Sequence, residues 1–251
     1  MLFDTRFLRR FLPLAAGSVL LCLAGPDAAA QQHREETRAF QQAAGIQTAM
    51  LRGKQAARYD FPANGNPYWI SAEYRAGDLV IDGNAYYGVP FNIDAVAQRL
   101  LVRVGDSQVA VALQPDRVRS IDSEGRHFVG VGVDGPLPAG FYEVIGDGAE
   151  CVCKHVVKVL NSSPDNVNGD PIGYRDPNYR ADVSRYFALH RSYYFRDAEG
   201  NFRRVRNKAA LLRCLGSRKR EVRQALNTSG LARQEMDFDE FCRVVLELAT
   251  R

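Results

Sequence analysis

The stretch CVCKH, residues 151–155, sets two thiols and an imidazole at alternate positions. Side chains of these types ligate zinc and soft metals, and a thiol pair also supports redox chemistry. On a strand, Cys151, Cys153, His155, Val157 and Val159 share one face, while Val152, Lys154, Val156, Lys158 and Leu160 share the other. At roughly 3.3 Å per residue, Cys151 and His155 stand about 13 Å apart along the strand. Metal bonds of about 2.0–2.3 Å cannot gather all three onto one ion. A metal centre on Cys151, Cys153 and His155 therefore needs two of them plus ligands from elsewhere, such as His127. The c-type haem pattern, with two residues between the cysteines and a histidine directly after, is also absent. The two lysines predict that the second face meets solvent, which turns Cys151 and Cys153 inward as small apolar core residues.

The amino terminus predicts where this chemistry operates. Arg6, Arg9 and Arg10 precede an apolar run over residues 11–25, and Ala28, Ala29 and Ala30 stand before Gln31. This is the layout of a secretory signal peptide with an A-x-A cleavage site. The run is shorter than the roughly 18 residues a spanning helix requires. An exported protein that is not integral to a membrane is expected, in the periplasm, associated with the outer membrane, or secreted. Cleavage removes Cys22 and leaves Cys151, Cys153, Cys214 and Cys242, an even number that favours disulfides in an oxidising compartment. Residues i and i+2 of a strand lie roughly 6.5–7 Å apart, at the upper limit for a bridge. The expected pair is therefore Cys214 with Cys242, worth about 3–4 kcal/mol on chain-entropy grounds.

Charge is the other chemically suggestive feature. The formal net charge is +4, and residues 185–223 hold twelve Lys or Arg against Asp197, Glu199 and Glu221. Arg203, Arg204, Arg206 and Lys208 are the candidate binding residues for an anionic surface. Export argues against nucleic acid as the partner, which leaves anionic lipid, acidic glycan or another envelope protein. No nucleophile elbow, zinc-protease helix, P-loop or dinucleotide fingerprint is present, and no cofactor is implied. Asp134, Glu143, Asp147 and Glu150 cluster around one expected hairpin, as paired carboxylates for glycoside hydrolysis do, although turn and surface positions also account for them. The sequence DNVNGD at residues 165–170 departs from a calcium loop, with Val167 or Pro171 falling where a ligand or glycine is needed.

These residues are carried by an expected α+β chain. Residues 66–160 read as short strands between turn signals, an antiparallel β meander forming a curled sheet, sandwich or part-barrel. Only residues 93–101 carry any helical period. The clearest hairpin links residues 100–104 to 107–113 through Gly105-Asp106. Residues 161–182, rich in Pro, Gly and Asn, are expected to be a linker or long loop. In residues 183–251 a second hairpin leads into three short helices, the first capped by Asn207 and ended by Gly216, the second capped by Ser217, the third opened by Asp237 and Glu240. Residues 1–30 and 31–65 complete the division as signal peptide and N-terminal segment.

Asn66-Pro67-Tyr68-Trp69, Gly77, Asp82-Gly83 and Val89-Pro90-Phe91-Asn92 resemble a loosely defined family of exported bacterial envelope proteins of unknown function. So do Tyr193-Tyr194-Phe195, Gly200-Asn201-Phe202 and Val205-Arg206-Asn207-Lys208 further on. The resemblance implies an envelope or secreted location and transfers no catalytic or binding residue; CVCKH lies outside it. The expected function is a non-catalytic interaction or ligand-binding module of the envelope. The alternatives are a metal-binding or redox-active protein using Cys151 and Cys153, and a hydrolase without a recognisable motif.

Overall fold

The computed structural model describes residues 31, 34–37, 39, 53–103, 109–162 and 184–250. The expected signal peptide, the Gly105-Asp106 turn, the DNVNGD loop and residues 163–182 of the expected linker lie outside the described residues. The chain divides into two compact units, Met1–Thr37 and Arg38–Arg251. In the first, the described residues 31 and 34–37 are helical.

The second unit is an antiparallel sheet with short helices, the α+β class expected. Its strands are β1 (Lys54–Gln55), β2 (Arg75–Ile81), β3 (Asn84–Asp94), β4 (Arg99–Arg103), β5 (Ala110–Leu113) and β6 (Val118–Ser123). They continue as β7 (Arg126–Val131), β8 (Gly140–Ile145), β9 (Cys151–Ser162), β10 (Arg185–Arg196) and β11 (Phe202–Val205). The order is β1-β5-β4-β3-β2-β6-β7-β8-β9-β10-β11, so the sheet is open, with β1 and β11 at its edges. Strands β9 and β10 pair along their whole length, from Arg185 opposite Ser162 to Arg196 opposite Cys151. One sheet thus carries both the 66–160 and the 183–251 segments.

Residues 93–101 form no helix. They run from the end of β3 through a tight turn into β4, with Gln98 at φ 51°. Register explains the outcome: Ile93 pairs with Leu100 across the hairpin, and both side chains are buried by the fold of the sheet.

The sheet curls because residues 64–69 tie distant strands together. Trp69 N donates to Ile93 O and Ala95 N to Pro67 O, both at 2.8 Å, on the β3 side. On the β10 side, Asn64 N donates to Arg185 O and Phe187 N to Asn64 O, at 2.8 and 3.0 Å. Lys158 N of β9 also donates directly to Ala95 O at 3.0 Å. Strands β2, β6, β7, β8 and β9 stand between β3 and β10 in the sheet, so these bonds require a strong bend. Close approach inside it restricts residue size: a Cβ on Gly130 would lie 2.1 Å from Pro115 O and 2.6 Å from Val118 O.

The concave face holds two cores. One gathers Trp69, Leu79, Ile93, Leu100, Phe128 and Val156 inside the curl. The second packs Ile145, Val152 and Phe195 of the sheet beneath the helices α1 (Lys208–Cys214), α2 (Lys219–Thr228) and α3 (Phe238–Thr250). Asn207 caps α1 by accepting from Ala210 N, and Asp237 Oδ1 accepts from Glu240 N at 2.8 Å at the start of α3. Ser217 does not cap α2. It sits within a 3₁₀ turn, Gly216–Arg218, that runs straight into the helix and supplies no side-chain cap. Among the described residues no helix is long and apolar enough to cross a membrane.

The expected Cys214–Cys242 disulfide is corrected by the structure: all four described cysteines are free. Both thiols border the helical core, but Cys242 is fully buried at its centre while Cys214 is half-buried at its rim. Leu211 and Leu212 of α1 turn into the core, and Cys214, the last residue of the helix, packs against its edge. Burial also raises both thiols above the ordinary range, Cys242 to about 12, which withholds the thiolate that disulfide exchange requires.

Candidate functional site

Strand β9 is buried on both faces at its start, contrary to the expectation that its lysines face water. Lys154 is 6% exposed and Lys158 is 5% exposed. The face carrying them is the concave one, between Val152 under the helices and Val156 inside the curl. Each ammonium is accommodated by oxygen partners. Lys158 Nζ donates to the backbone oxygens of Asn66 and Tyr68 and to Asn66 Oδ1, which pins the 64–69 segment to the sheet.

Lys154 organises a polar cluster between the two cores. Its Nζ lies 3.3 Å from Glu143 Oε2 on β8, and it donates to Asp239 Oδ2 in the first turn of α3. Glu143, 2% exposed, also receives a two-pronged pair from Arg126, Nε to Oε1 at 2.8 Å and Nη2 to Oε2 at 2.9 Å. Tyr193 of β10 donates its hydroxyl to Asp239 Oδ1 at 2.8 Å. Against the cost of burial, the bonds from Lys154 and Tyr193 hold the Asp239 carboxyl below its usual range. Alternation along β8 and β9 puts Glu143 opposite Lys154 in register, but Asp239 is distant in sequence and could not be paired with them in advance. Of the four carboxylates weighed for glycoside hydrolysis, Glu143 belongs to this cluster and Glu150 pairs with Arg218, while Asp134 and Asp147 are exposed.

The opposite face of β9 carries Cys151, Cys153 and His155. Cys151 and Cys153, 4% and 5% exposed, pack with Leu137 and Tyr142. The two thiols are neighbours in one buried cluster. Interaction with Cys153, opposed by burial and aided by the Arg196 guanidinium, lowers Cys151 to about 7. The same interaction and burial raise Cys153. His155 lies on this face but is engaged elsewhere: its Nε2 donates to Gln98 Oε1 at 3.1 Å, and its ring stacks 4.5 Å from that of Tyr142. Burial lowers its pKa to about 4, so it is neutral at physiological pH. Gly140, at φ 154°, makes room, since a Cβ there would meet Gln98 Oε1 at 2.5 Å and His155 Nε2 at 2.6 Å. Among the described residues no three metal-ligating groups cluster, and His127 instead pairs with Asp122 Oδ1 at 2.6 Å.

The four candidate basic residues are not gathered into one patch. Arg203 and Arg204 occupy adjacent positions of β11 and so project from opposite faces of the sheet. Arg203 lies 3.5 Å from Asp197, and Arg204 contacts Ser192 Oγ at 3.4 Å. Lys208 donates to Met236 O at 2.9 Å and lies over the Phe241 ring. Arg206 is exposed in the link to α1.

A groove of about 480 Å³ at the other end of the sheet was not foreseen from the sequence. Tyr59, Phe61 and Tyr68 from the segment after β1, Tyr74 ahead of β2, and Phe187 of β10 supply aromatic walls. Tyr59 meets Phe187 edge-on at 5.8 Å and Phe61 stacks on Phe187 at 6.5 Å. The Tyr59 hydroxyl donates to Asp94 Oδ2 at 2.8 Å, and Asp94 Oδ1 in turn accepts from Val96 N and Ala97 N. This anchors the wall to the β3–β4 turn. Arg103, at the end of β4, lays its guanidinium 3.8 Å over the Tyr74 ring. Its Nε is buried and, among the described residues, has no hydrogen-bond partner. The signal in the sequence was the run of aromatic residues over 59–74, but only the curl brings Phe187 and Arg103 to it.

Comparison with protein-family models, with curated proteins and with solved structures finds no match for this chain. Functional inference therefore rests on the geometry of its own sites.

Proposed function

We propose that the protein is an exported, non-catalytic ligand-binding module of the bacterial envelope, and that its ligand is an acidic glycan or sugar phosphate held in the aromatic groove. The observation that carries this reading is the Arg103 guanidinium laid over Tyr74 in a groove walled by aromatic rings, with a buried Nε that has no hydrogen-bond partner among the described residues. Aromatic faces accept the apolar faces of sugar rings, and a guanidinium recognises carboxylate or phosphate through paired, planar bonds. The groove volume lies in the range of small-ligand sites. Arg58 also lines the groove and adds positive charge. The leader with Arg6, Arg9 and Arg10 ahead of an apolar run supports export, which would bring the protein to cell-wall and surface glycans.

The test is calorimetric titration of the full chain with matched oligosaccharides, one uronate-bearing and one neutral. The acidic sugar is expected to bind more tightly. Arg103→Ala is expected to weaken that binding by about 10-fold to 100-fold, the loss of one charged hydrogen-bonding partner. Equal affinity for acidic and neutral sugars, or binding indifferent to Arg103→Ala in a folded variant, would refute the assignment.

A further inference from the structure

We infer that Cys151 and Cys153 form a two-coordinate site for a soft monovalent metal ion of the cuprous class. Both thiols project from the same face of one strand, belong to one buried cluster and line the same groove. Their surroundings are apolar, with Leu137 and Tyr142 in the same cluster and Tyr194 and Phe202 packed against it. Thiolates in such a setting select soft ions. They also lie on a groove of about 1280 Å³ whose lining includes His127, Val129, Arg196 and Phe202, which supplies an access route.

Coordination number separates the candidate ions. Zinc takes four ligands in a closed site or three in an open one. The described residues offer no cluster of three, and His155 is committed to Gln98 and Tyr142. Two thiolates satisfy a monovalent soft ion, and the complex then bears one negative charge. Arg196, directly opposite Cys151 on β10, supplies one positive charge in compensation. The extended strand also works against the competing fate of the pair. Alternate residues on a strand stand roughly 6.5–7 Å apart, at the limit for a disulfide, whereas a bridging ion lengthens the sulfur-to-sulfur span. Binding is balanced by proton release: two thiols and one M⁺ yield the anionic bis-thiolate complex and two H⁺.

This inference is independent of the glycan reading, since it uses other residues on another part of the sheet. The test is anaerobic titration of the full-length reduced protein with Cu(I), competed against a chromophoric Cu(I) chelator, with Ag(I) as a redox-inert second probe. One ion per chain is expected, with up to two protons released per ion. Cys151→Ala and Cys153→Ala should each abolish the site, Cys214→Ser should preserve it, and Arg196→Gln should weaken it about 10-fold to 100-fold. Alanine keeps the position small and apolar, and circular dichroism of each variant reports whether it folds. X-ray absorption of the wild-type complex gives a readout independent of the variants: two sulfur ligands are expected. Retention of the ion in folded Cys151→Ala, its loss in Cys214→Ser, or a coordination shell without two sulfurs would overturn the assignment.

Discussion

Lys154→Ala is expected to destabilise the protein by about 3–5 kcal/mol, the scale for breaking a buried ion pair from one side. The ammonium stands between Glu143 and Asp239, so its removal leaves two carboxylates facing across a space from which water is largely excluded. Arg126 still partners Glu143, but Asp239 keeps only its Tyr193 bond among the contacts described above. Because Asp239 begins α3 while Glu143 and Lys154 belong to the sheet, the loss should fall on the docking of the helices. Chemical denaturation of wild type and variant measures it, and hydrogen exchange locates it, with α3 amides opening first. In a double-mutant cycle, Asp239→Asn should restore part of the lost stability, with a coupling of about 1 kcal/mol or more. A cost below about 1 kcal/mol would mean the cluster is screened by water and does not hold helix to sheet. The sign of its pH dependence follows from Asp239, whose folded pKa is lowered. Its contribution is present above the ordinary carboxylate pKa and is lost as pH falls through the lower folded value.

Acidification is expected to remove a further about 3 kcal/mol of stability through His155, in a higher pH window. The folded imidazole is held neutral, with its pKa lowered to about 4 by burial, while the unfolded side chain titrates at 6.5. The unfolded state therefore binds a proton first. Stability from this residue is complete above the unfolded value, declines as pH falls below it, and reaches its floor below about 4, at about 1.4 kcal/mol per pH unit in between. Denaturant midpoints of the metal-free protein between pH 7 and 4 measure the slope. His155→Gln, which cannot titrate, should flatten that part of the profile. His155 contacts Tyr142 and Gln98, with Ser192 opposite it on β10 and Cys153 two residues along the same face, and none of these is a carboxylate that would reverse the sign. An unchanged slope in the variant would assign the pH dependence to other groups.

The local chemistry of this chain was written into short stretches. Alternating apolar runs punctuated by glycine and aspartate specified antiparallel strands, and the Asn207 and Asp237 caps marked where α1 and α3 begin, because a strand period and a helix cap are decided by residues a few positions apart. The two-residue spacing of Cys151 and Cys153 likewise put both thiols on one face without reference to anything else. What only the tertiary structure decided was which face of each strand meets solvent. Lys154 and Lys158 read as a solvated face, yet the curl and the helices cover it. Two buried lysines are tolerable only because Glu143, Asp239 and the segment holding Asn66 and Tyr68 arrive from three other places in the chain. The same holds for the aromatic groove, where Arg103 and Phe187 join Tyr59 and Tyr74 across the bend, and for the absent disulfide, where Cys214 ends α1 at the rim of the core while Cys242 lies at its centre. Periodicity states that a residue points to one side of its strand. Whether that side is core, groove or water depends on long-range contacts, and those are encoded in no single stretch of the sequence.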